Sequence, residues 1–547
     1  MTESKDTNPA AGARVLPLGW PAVLQQPARA ALEEALLAYV TPRRWFRAKN
    51  RHARALRVID LVPLSGGRDV LAVLEVAFHE GAPERYLIPL AVLGAAESDE
   101  AARRAPHALI ARLAADDGPG PIAAPSAGPA GHAALVDGLA TGSAAGALRA
   151  LVENSETAPG EAGALVGRAQ PALSEASGRD APARVAPLEQ TNSTVSFGER
   201  MLLKIYRQLT SGINPELEMG TFLDAHARQG SRPTPPVLGA LSYRTREGNE
   251  YGVGIVHAFV QSEGDAWSAV QRELQELLGS DVDPATAALG PFIARAATLG
   301  RRTAEIHLAL AGAAPDDEAF RAEPLAETDR RAAVERAQAM LDEHLSALHV
   351  RARNLSPAAR EAAERLADRN GPARRAVADV FSRFVAEDPG VVKTRIHGDL
   401  HLGQVLARGD DFTIIDFEGE PARPLAERRA KSSPLRDVMG MVRSFSYAPE
   451  AVLRAGGADP ERRKRLLPLA RGWEAKATEE YRRGYLTTAA GAPFLPKNPD
   501  HLKLMLAFYA LERVIYEVGY ELNNRTDWVD IPLAGLLALV EDRKENR

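Results

Sequence analysis

Residues 395–406 read RIHGDLHLGQVL, and the segment IIDFEGE follows at residues 414–420. Asp399 follows a His-Gly pair, Gln404 comes five residues later, and Asp416 follows the apolar run FTII. We interpret the stretch as a strand–loop–strand hairpin that brings these three side chains together. Carboxylate and amide oxygens are hard ligands of the kind that Mg²⁺ prefers. The stretch therefore predicts a site that holds a metal ion and a proton acceptor.

The overall composition is that of an ordinary globular protein. The 547 residues include 67 basic and 72 acidic ones, for a formal net charge of −5, and 45% are hydrophobic. This length predicts several domains. With no long basic track, no apolar run that could span a bilayer and no secretory segment, we expect a cytoplasmic protein without nucleic-acid or membrane partners. Without cysteine, disulfides, thiolate nucleophiles and cysteine-bound zinc are excluded.

The order of elements predicts an α+β protein. A helix at 27–40 precedes three strand-like runs, and the chain is almost entirely helical after residue 265, apart from the quoted hairpin. A β-rich part followed by a helical part is the order of a bilobal, protein-kinase-like fold. The predicted parts are an N-terminal cap domain (1–105), a β-rich lobe with a hinge and an Ala/Gly-rich insert at 115–190 (106–260), and a helical lobe (261–547).

A metal ion and a proton acceptor are two of the parts that phosphoryl transfer from a nucleotide needs, and a cation on the phosphates is the third. Lys204 meets this need, because it is a single charge inside the strand-like run RMLLKIY. A lysine in apolar surroundings needs an acidic partner. A helix starts after Asn214, with Pro215 in its first position. Its Glu218 is our first candidate for the partner, and Glu216 is the alternative.

Further nucleotide contacts are predicted from the segments around Lys204. The turn TNSTV lacks a glycine-rich pattern, but its backbone amides and the hydroxyls of Thr191, Ser193 and Thr194 can hold phosphates. The adenine is expected between the lobes, against the backbone from His257 to Val260.

The hairpin resembles the motif of aminoglycoside phosphotransferases and related small-molecule kinases: His-Gly-Asp, four residues, Asn, then Asp after an apolar strand. The resemblance implies that Asp399 is the catalytic residue and that Gln404, in place of Asn, and Asp416 bind the metal. His401 lies where protein kinases keep a lysine that contacts phosphate. ATP and Mg²⁺ are the implied cofactors.

A closer resemblance, to bacterial maltokinases, extends over nearly the whole chain. It is carried in order by RRWFRAKNR, QTNSTVSFGERMLLKIYR, NPELEMG, HGDLHLGQ, DFEGEPARPLAERRAKSSPLRDVMGMVRSFSYA and AFYALERVIYEVGYELNNRTDWVDIPLAGL. It implies a kinase-like fold with an extra N-terminal cap domain. The implied activity is ATP-dependent formation of maltose 1-phosphate for α-glucan synthesis, with possible association with a trehalose synthase.

The acceptor sugar is predicted to lie along the segment YEVGYELNNRTDW. Aromatic rings can cover the apolar faces of a sugar, and nearby acids can accept hydrogen bonds from its hydroxyls. Side chains at four-residue spacing share a helix face. The candidate contacts are Tyr516, Glu517, Tyr520, Glu521 and Asn524, with Arg443 as a further contact to sugar or phosphate.

Several neighbouring residues are assigned supporting roles. His397 is expected to orient the loop, and Asp437 to start a helix or, by analogy with kinases, to brace that loop. Glu418 is either a metal ligand or a partner of nearby arginines. His307 is expected to be a hydrogen-bonded core or surface histidine.

Two other functions stay open at this point. A close relative of the maltokinases phosphorylates glucosamine with nearly the same hairpin, so an amino-sugar or aminoglycoside kinase is the first alternative. A non-catalytic nucleotide-binding scaffold is the second, and the intact set of Lys204, Asp399, Gln404 and Asp416 argues against it. Only about twenty residues separate Asp416 from the helix at Asp437, which favours a small acceptor over a protein.

Overall fold

The computed structural model divides the chain into two compact units. The first takes residues 1–221 and 235–260, and the second takes residues 222–234 and 261–547. The residues that the structure describes are 15–16, 22–64, 69–94, 97–98, 100, 103, 105–113, 133–176, 182–185, 192–227, 232–279, 288–421, 423–457 and 460–545. The domain boundaries suggested by the sequence at residues 105 and 260 stay predictions.

The first unit is built mainly from strands, with a few helices. In chain order the elements are β1 (Val15–Leu16), α1 (Arg29–Val40), β2 (Ala53–Pro63), β3 (Asp69–Phe78), β4 (Glu84–Leu93), β5 (Leu109–Leu113), β6 (Ala134–Asp137), α2 (Ala145–Glu153), β7 (Thr157–Pro159), β8 (Gly163–Ala169), α3 (Leu173–Ala176), β9 (Ala183–Val185), β10 (Ser193–Phe197), β11 (Met201–Ile205), β12 (Gln208–Leu209), α4 (Pro215–Ala225), β13 (Val237–Thr245) and β14 (Glu250–Ala258). Helix α4 crosses into the second unit at residue 222.

The N-terminal sheet has the strand order β1-β5-β6-β4-β3-β2, with β12 also paired to β4. Strands β2, β3 and β4 correspond closely to the three runs that the sequence predicts. Strand β3 is almost continuously apolar because both of its faces are covered. Ala72 and Leu74 belong to one buried cluster, whereas Leu71 and Val73 belong to another. Since successive side chains point to opposite faces of a strand, both faces require apolar residues.

The second sheet of this unit has the order β7-β8-β13-β14-β11-β10-β9. Lys204 lies in β11 opposite Thr194 of β10 and Ile255 of β14. Strands β7 and β8 and helix α2 arise from the Ala/Gly-rich insert. Small residues suit this region because α2 packs tightly on β8: a Cβ atom on Gly167 would lie 2.0 Å from the Leu151 carbonyl oxygen.

The second unit is predominantly helical. Its elements are α5 (Ala266–Gly279), α6 (Pro291–Ala311), β15 (Glu323–Pro324), α7 (Glu327–Val350), α8 (Pro357–Ala367), α9 (Pro372–Ala386), β16 (Val392–Lys393), β17 (Val405–Arg408), β18 (Asp411–Ile414), α10 (Leu425–Arg428), α11 (Leu435–Ala455), α12 (Pro460–Thr488), α13 (Pro499–Asn524) and α14 (Asp530–Glu545). Among the described residues, none of the helices combines the length and the apolar character needed to cross a bilayer. The α+β class predicted from the sequence is confirmed.

Helices α6 and α12 approach each other unusually closely. A Cβ atom on Gly300 would lie 2.0 Å from the carbonyl oxygen of Tyr481, and one on Gly484 would lie 2.0 Å from that of Ala297. These distances are far shorter than van der Waals contact, so neither position accepts even a methyl group without separation of the helices.

Candidate active site

A buried carboxylate holds the loop that carries Asp399 through two hydrogen bonds. Asp437, in the first turn of α11, accepts the backbone N–H of His397 at 2.7 Å and that of Gly398 at 2.9 Å. The strand expected before Asp399 is only two residues long and ends at Lys393. Asp437 therefore provides the hydrogen-bond acceptors that a longer strand would otherwise have supplied.

Asp437 is in turn fixed by the α6–α12 pair. His307 of α6 lies 3.1 Å from Asp437 through its Nε2 atom and 3.0 Å from the Tyr485 hydroxyl through Nδ1. Burial alone would raise the pKa of Asp437, but the hydrogen bond and charge of His307, the charge of His397 and the Gly398 N–H together lower it. Asp437 therefore carries a stable negative charge, and His307 is a hydrogen-bonded core residue, as the sequence indicates.

His397 orients the loop through both ring nitrogens. Its Nε2 atom lies 2.9 Å from the Ile415 carbonyl oxygen, and its Nδ1 atom lies 3.3 Å from the Asp399 backbone nitrogen. A ring that donates from Nε2 and accepts at Nδ1 satisfies both contacts. This agrees with the orienting role that the sequence suggests, and it ties the Asp399 loop to the segment that leads to Asp416.

Gln404 and Asp416 come together on the hairpin of β17 and β18. The Gln404 amide donates to Asp416 Oδ2 at 2.9 Å, and the Ile415 backbone N–H donates to the Gln404 carbonyl oxygen at 2.9 Å. Asp416 has a left-handed φ of 67°, which is costly for a residue other than glycine and is typical of functional sites. The Gln404 amide oxygen and the Asp416 carboxylate form a donor set that fits Mg²⁺.

Glu418 lies close to both Asp416 and Arg428, and its role as a metal ligand stays a prediction. One of its carboxylate oxygens lies within 4.8 Å of an Asp416 carboxylate oxygen, close enough for a shared cation. Its Oε2 atom also lies 4.0 Å from Arg428 Nη1. Glu418 is therefore placed to add negative charge beside Gln404 and Asp416 while remaining partly balanced by Arg428.

Asp399 is partly buried and lies beside Arg513, a residue that the sequence analysis did not single out. Arg513 Nη1 is 3.6 Å from Asp399 Oδ1. Burial raises the pKa of Asp399, whereas the charges of Arg513, His401 and His397 act in the opposite direction. A carboxylate whose pKa is raised is better able to accept a proton near neutral pH.

Replacement of Arg513 by Met is expected to move the acid limb of the kcat–pH profile to higher pH. Without the guanidinium, the effect of burial on Asp399 is less strongly opposed, so the carboxylate protonates at a higher pH. Full kcat–pH profiles of wild type and Arg513→Met measure the shift. Lys503→Met, which removes an exposed cation from the same helix, serves as the control. An unmoved acid limb in Arg513→Met would show that Arg513 does not tune Asp399.

Arg443 and Glu517, two predicted acceptor contacts, bind each other. Arg443 Nε donates to Glu517 Oε2 at 3.0 Å, and both side chains are buried. Arg513 Nε also lies 3.6 Å from Glu517 Oε1. Glu517 thus links Arg443 to the arginine beside Asp399. Direct contact of either residue with a sugar stays a prediction.

The other predicted acceptor residues lie along the C-terminal part of α13. Tyr516 is partly buried, and burial together with the nearby Glu420 carboxylate raises the pKa of its hydroxyl. Glu420 accepts from Arg423 Nε at 2.7 Å. Glu521 is 1% exposed and pairs with Arg525 at 2.8 Å.

Tyr520 and Asn524 are exposed, and the Asn524 amide donates to the Tyr520 carbonyl oxygen. Of the predicted acceptor set, Tyr516 and Glu517 therefore lie nearest to Arg513 along the helix, and the roles of all six residues stay predictions.

Lys204 forms its ion pair with Glu216, so our preference for Glu218 as the partner is corrected. Lys204 Nζ lies 2.8 Å from Glu216 Oε2, and the His257 Nε2 atom lies 3.3 Å from Glu216 Oε1. Asn214 caps the helix as predicted, accepting the Glu216 backbone N–H at 2.9 Å. Burial would raise the pKa of Glu216, but Lys204 and His257 outweigh it and lower the pKa. Glu216 therefore stays ionised and fixes the lysine ammonium group.

The structure describes some of the remaining predicted nucleotide contacts but not all of them. Ser193 and Thr194 begin β10, and the Ser193 hydroxyl accepts from Arg207 Nε at 2.7 Å. Thr191 lies outside the described residues, and Val260 is the last residue of the first unit.

His401 caps the short turn before β17 by accepting the Gly403 backbone N–H at 3.0 Å. Burial lowers its pKa, so the ring is neutral near pH 7 and differs in charge from the kinase lysine at this place.

Residues 39–140 match the family model of the maltokinase N-terminal cap domain. Two curated glucosamine kinases are related in sequence. The protein from Streptacidiphilus jiangxiensis is 27% identical over 358 residues, which is 65% of this chain and 73% of the relative. The protein from Mycolicibacterium smegmatis (strain ATCC 700084 / mc(2)155) is 26% identical over 368 residues, which is 66% of this chain and 80% of the relative.

The same fold occurs in solved structures. A glucosamine kinase in complex with glucosamine, ADP and inorganic phosphate superposes with a TM-score of 0.58 at 21% identity, covering 94% of this chain and all of that one. A second crystal form gives a TM-score of 0.60 over 91% and 97% of the two chains. The chain therefore contains a region similar to the maltokinase N-terminal cap domain, is related in sequence to two glucosamine kinases, and shares the fold of the solved glucosamine kinase.

Proposed function

We propose that this protein is a sugar kinase that transfers the γ-phosphoryl group of ATP to the anomeric hydroxyl of maltose. The match of residues 39–140 to the maltokinase cap domain carries the choice of maltose. The sequence relatives and the fold support phosphoryl transfer more generally. Association with a trehalose synthase stays a prediction.

Asp399 has the central role in the proposed reaction. Its carboxylate orients the acceptor hydroxyl and takes the proton as the hydroxyl oxygen bonds to phosphorus and ADP leaves. Burial keeps this carboxylate poorly solvated, while Arg513 at 3.6 Å fixes its position and limits the rise in its pKa. Phosphoryl transfer depends mainly on positioning and charge, so a rigidly held carboxylate suits it.

Two further sets of side chains act on the nucleotide. Lys204, fixed by Glu216, contacts the phosphates with its ammonium group. Gln404 and Asp416 would hold Mg²⁺, with Glu418 near Asp416. When bound, the ion would offset negative charge on the phosphates. The Asp437 contacts keep the Asp399 loop in place, so the proton acceptor needs no rearrangement when the substrates bind.

The paired charges of α13 and of Glu420 favour a neutral acceptor over an amino sugar. Glu517 is paired with Arg443, Glu521 with Arg525, and Glu420 with Arg423. An acid already balanced by a guanidinium offers little net attraction to the ammonium group of glucosamine. Glucosamine is nevertheless the second candidate, because the two curated relatives are glucosamine kinases.

ADP release with a panel of sugars tests the acceptor. With ATP and Mg²⁺, we expect turnover on maltose to exceed that on glucose, glucosamine, trehalose and kanamycin, and to disappear in Asp399→Ala. Preferred turnover on glucosamine would transfer the proposal to the amino-sugar alternative while keeping the mechanism. The absence of turnover on every sugar would contradict the proposed reaction.

A further inference from the structure

The Arg513 guanidinium lies between two carboxylates of the helical unit. Its Nη1 atom is 3.6 Å from Asp399 Oδ1, and its Nε atom is also 3.6 Å from Glu517 Oε1. Both distances exceed the roughly 2.7–2.9 Å of a charge-assisted hydrogen bond. The Nε atom is buried, and no group among the described residues accepts a hydrogen bond from it. The two acids therefore share the guanidinium, and neither forms a direct hydrogen bond with it.

Glu517 is itself held in place by Arg443. Arg443 Nε donates to Glu517 Oε2 at 3.0 Å, and Arg443 Nη2 lies 3.0 Å from the same oxygen. Both side chains are buried. An arginine that contacts a carboxylate through two nitrogens restricts its orientation. Glu517 therefore presents its other oxygen, Oε1, to Arg513 from a fixed position.

Two further helices fix Arg443. Its Nη1 atom donates to the Ser446 hydroxyl at 3.3 Å, and that hydroxyl donates to the Glu474 carboxylate of α12. In α14, Gly535 leaves room for the guanidinium, because a Cβ atom there would lie 2.9 Å from Arg443 Nη1. Contacts from α12, α13 and α14 thus meet at one arginine of α11, and through Glu517 they reach the neighbourhood of Asp399.

The distance between Arg513 and Asp399 matters for proton transfer. A guanidinium in direct contact with a carboxylate stabilises its ionised form and makes it a weaker base. Among the described acids, only Asp399 and Glu517 form ion pairs with Arg513, so the attraction of Glu517 opposes a closer approach to Asp399. The other titratable groups that act on Asp399 or Arg513 are His397, His401, Glu420 and Tyr516.

We propose that Glu517 is a positioning residue that holds Arg513 at a distance from Asp399 and so keeps Asp399 able to accept the proton of the acceptor hydroxyl. Arg443, with Ser446 and Glu474 behind it, fixes Glu517 for this role. The inference rests on the proposed function, because it concerns the base of that reaction. It gives Glu517 a role that needs no contact with the sugar, unlike the acceptor contact suggested by the sequence.

Glu517→Gln tests the proposal, because the amide keeps the size of the side chain and removes its charge. Arg513 should then approach Asp399 and lower its pKa by about one pH unit. The acid limb of the kcat–pH profile should move to lower pH, opposite to the shift expected for Arg513→Met, and kcat at neutral pH should fall because the base is weaker. The KM for the sugar should stay within about twofold of wild type, because no sugar contact is lost.

Glu512→Gln is the matched control. It removes another buried carboxylate of α13, one that pairs with Arg436 at 3.2 Å, and its acid limb should stay at the wild-type position. Glu517→Asp keeps the charge on a shorter side chain, so its profile should lie closer to wild type than that of Glu517→Gln. The double variant Arg443→Gln/Glu517→Gln leaves no unpaired charge in the pair, so it replaces the single variant if that one fails to fold. The same direction of shift is expected.

The ¹³C NMR signal of the Asp399 carboxyl, assigned by its absence in Asp399→Asn, reports the pKa in the full chain without any turnover. An unchanged or raised Asp399 pKa in Glu517→Gln would overturn the inference, and so would an equal shift in Glu512→Gln. A higher KM for the sugar with an unmoved acid limb would show instead that Glu517 contacts the acceptor. A lowered Asp399 pKa without phosphorylation of any sugar would contradict the proposed function but support the positioning of Arg513 by Glu517.

Discussion

Asp399→Asn is expected to lower kcat by about 10²–10⁴-fold, the range that a positioned general base contributes. Asn keeps the shape of the side chain but has no basic oxygen to take the proton of the acceptor hydroxyl. The Asp399 backbone N–H and its contact with His397 do not depend on the carboxylate, so the loop should keep its conformation. Steady-state ADP release and ATP binding by calorimetry, measured on the same preparation, check the prediction.

The matched control for this variant is Asp410→Asn, which removes an exposed carboxylate from the turn between β17 and β18. It should retain wild-type kcat and ATP affinity. A kcat for Asp399→Asn within threefold of wild type would exclude Asp399 as the base. A parallel loss of ATP binding would instead show that the variant disturbs the loop rather than the proton transfer.

The second large effect is expected for Asp437→Ala, which should lose about 3–5 kcal/mol of unfolding free energy together with most activity. The variant leaves the N–H groups of His397 and Gly398 without their acceptor and His307 without its charged partner. Each buried donor that loses its partner costs free energy. Urea denaturation followed by circular dichroism measures the stability, and ADP release measures the activity.

The contribution of Asp437 to stability should also depend on pH. Because its folded-state pKa is lowered, the stabilisation is fully present above the pKa of the unfolded chain, near 4. It is lost as the pH falls through the folded-state value. The stability difference between wild type and Asp437→Ala should therefore shrink below about pH 4. Asp500→Ala, in the exposed first turn of α13, should cost well under 1 kcal/mol at pH 7. A constant difference across acidic pH would argue against the charged role of Asp437.

The hairpin could be predicted from the sequence because its parts are close together in the chain. Gln404 and Asp416 are twelve residues apart, and the strands between them are joined by a short turn that fixes their register. The strand–loop–strand interpretation places a strand before Asp399, but β16 comprises only Val392 and Lys393. The following residues contact Asp437 and Ser432 instead, and such tertiary partners are not visible in local periodicity.

The role of Arg513 could not be predicted from the sequence, because Arg513 lies more than a hundred residues from Asp399 and within a helix rich in apolar side chains. Nothing in its local pattern separates it from an ordinary surface arginine. The prediction of Glu218 rather than Glu216 as the partner of Lys204 is wrong for a different reason. Glu216 shares a helix face with the buried Met219 and Leu223, at spacings of three and seven residues. That pattern, available in the sequence, places Glu216 on the buried face and would have favoured it.

The close contact of α6 and α12 has a consequence for how this enzyme can vary. Gly300 and Gly484 lie in the same interface as the His307–Tyr485 hydrogen bond that leads to Asp437. A random-mutagenesis screen for inactive variants should therefore recover substitutions at both glycines, although neither residue contacts the Asp399 loop. Exposed positions on the opposite faces of the two helices should tolerate many substitutions. In this unit, the positions that tolerate substitution would then be determined by how closely the two helices approach each other, rather than by distance from the reacting atoms.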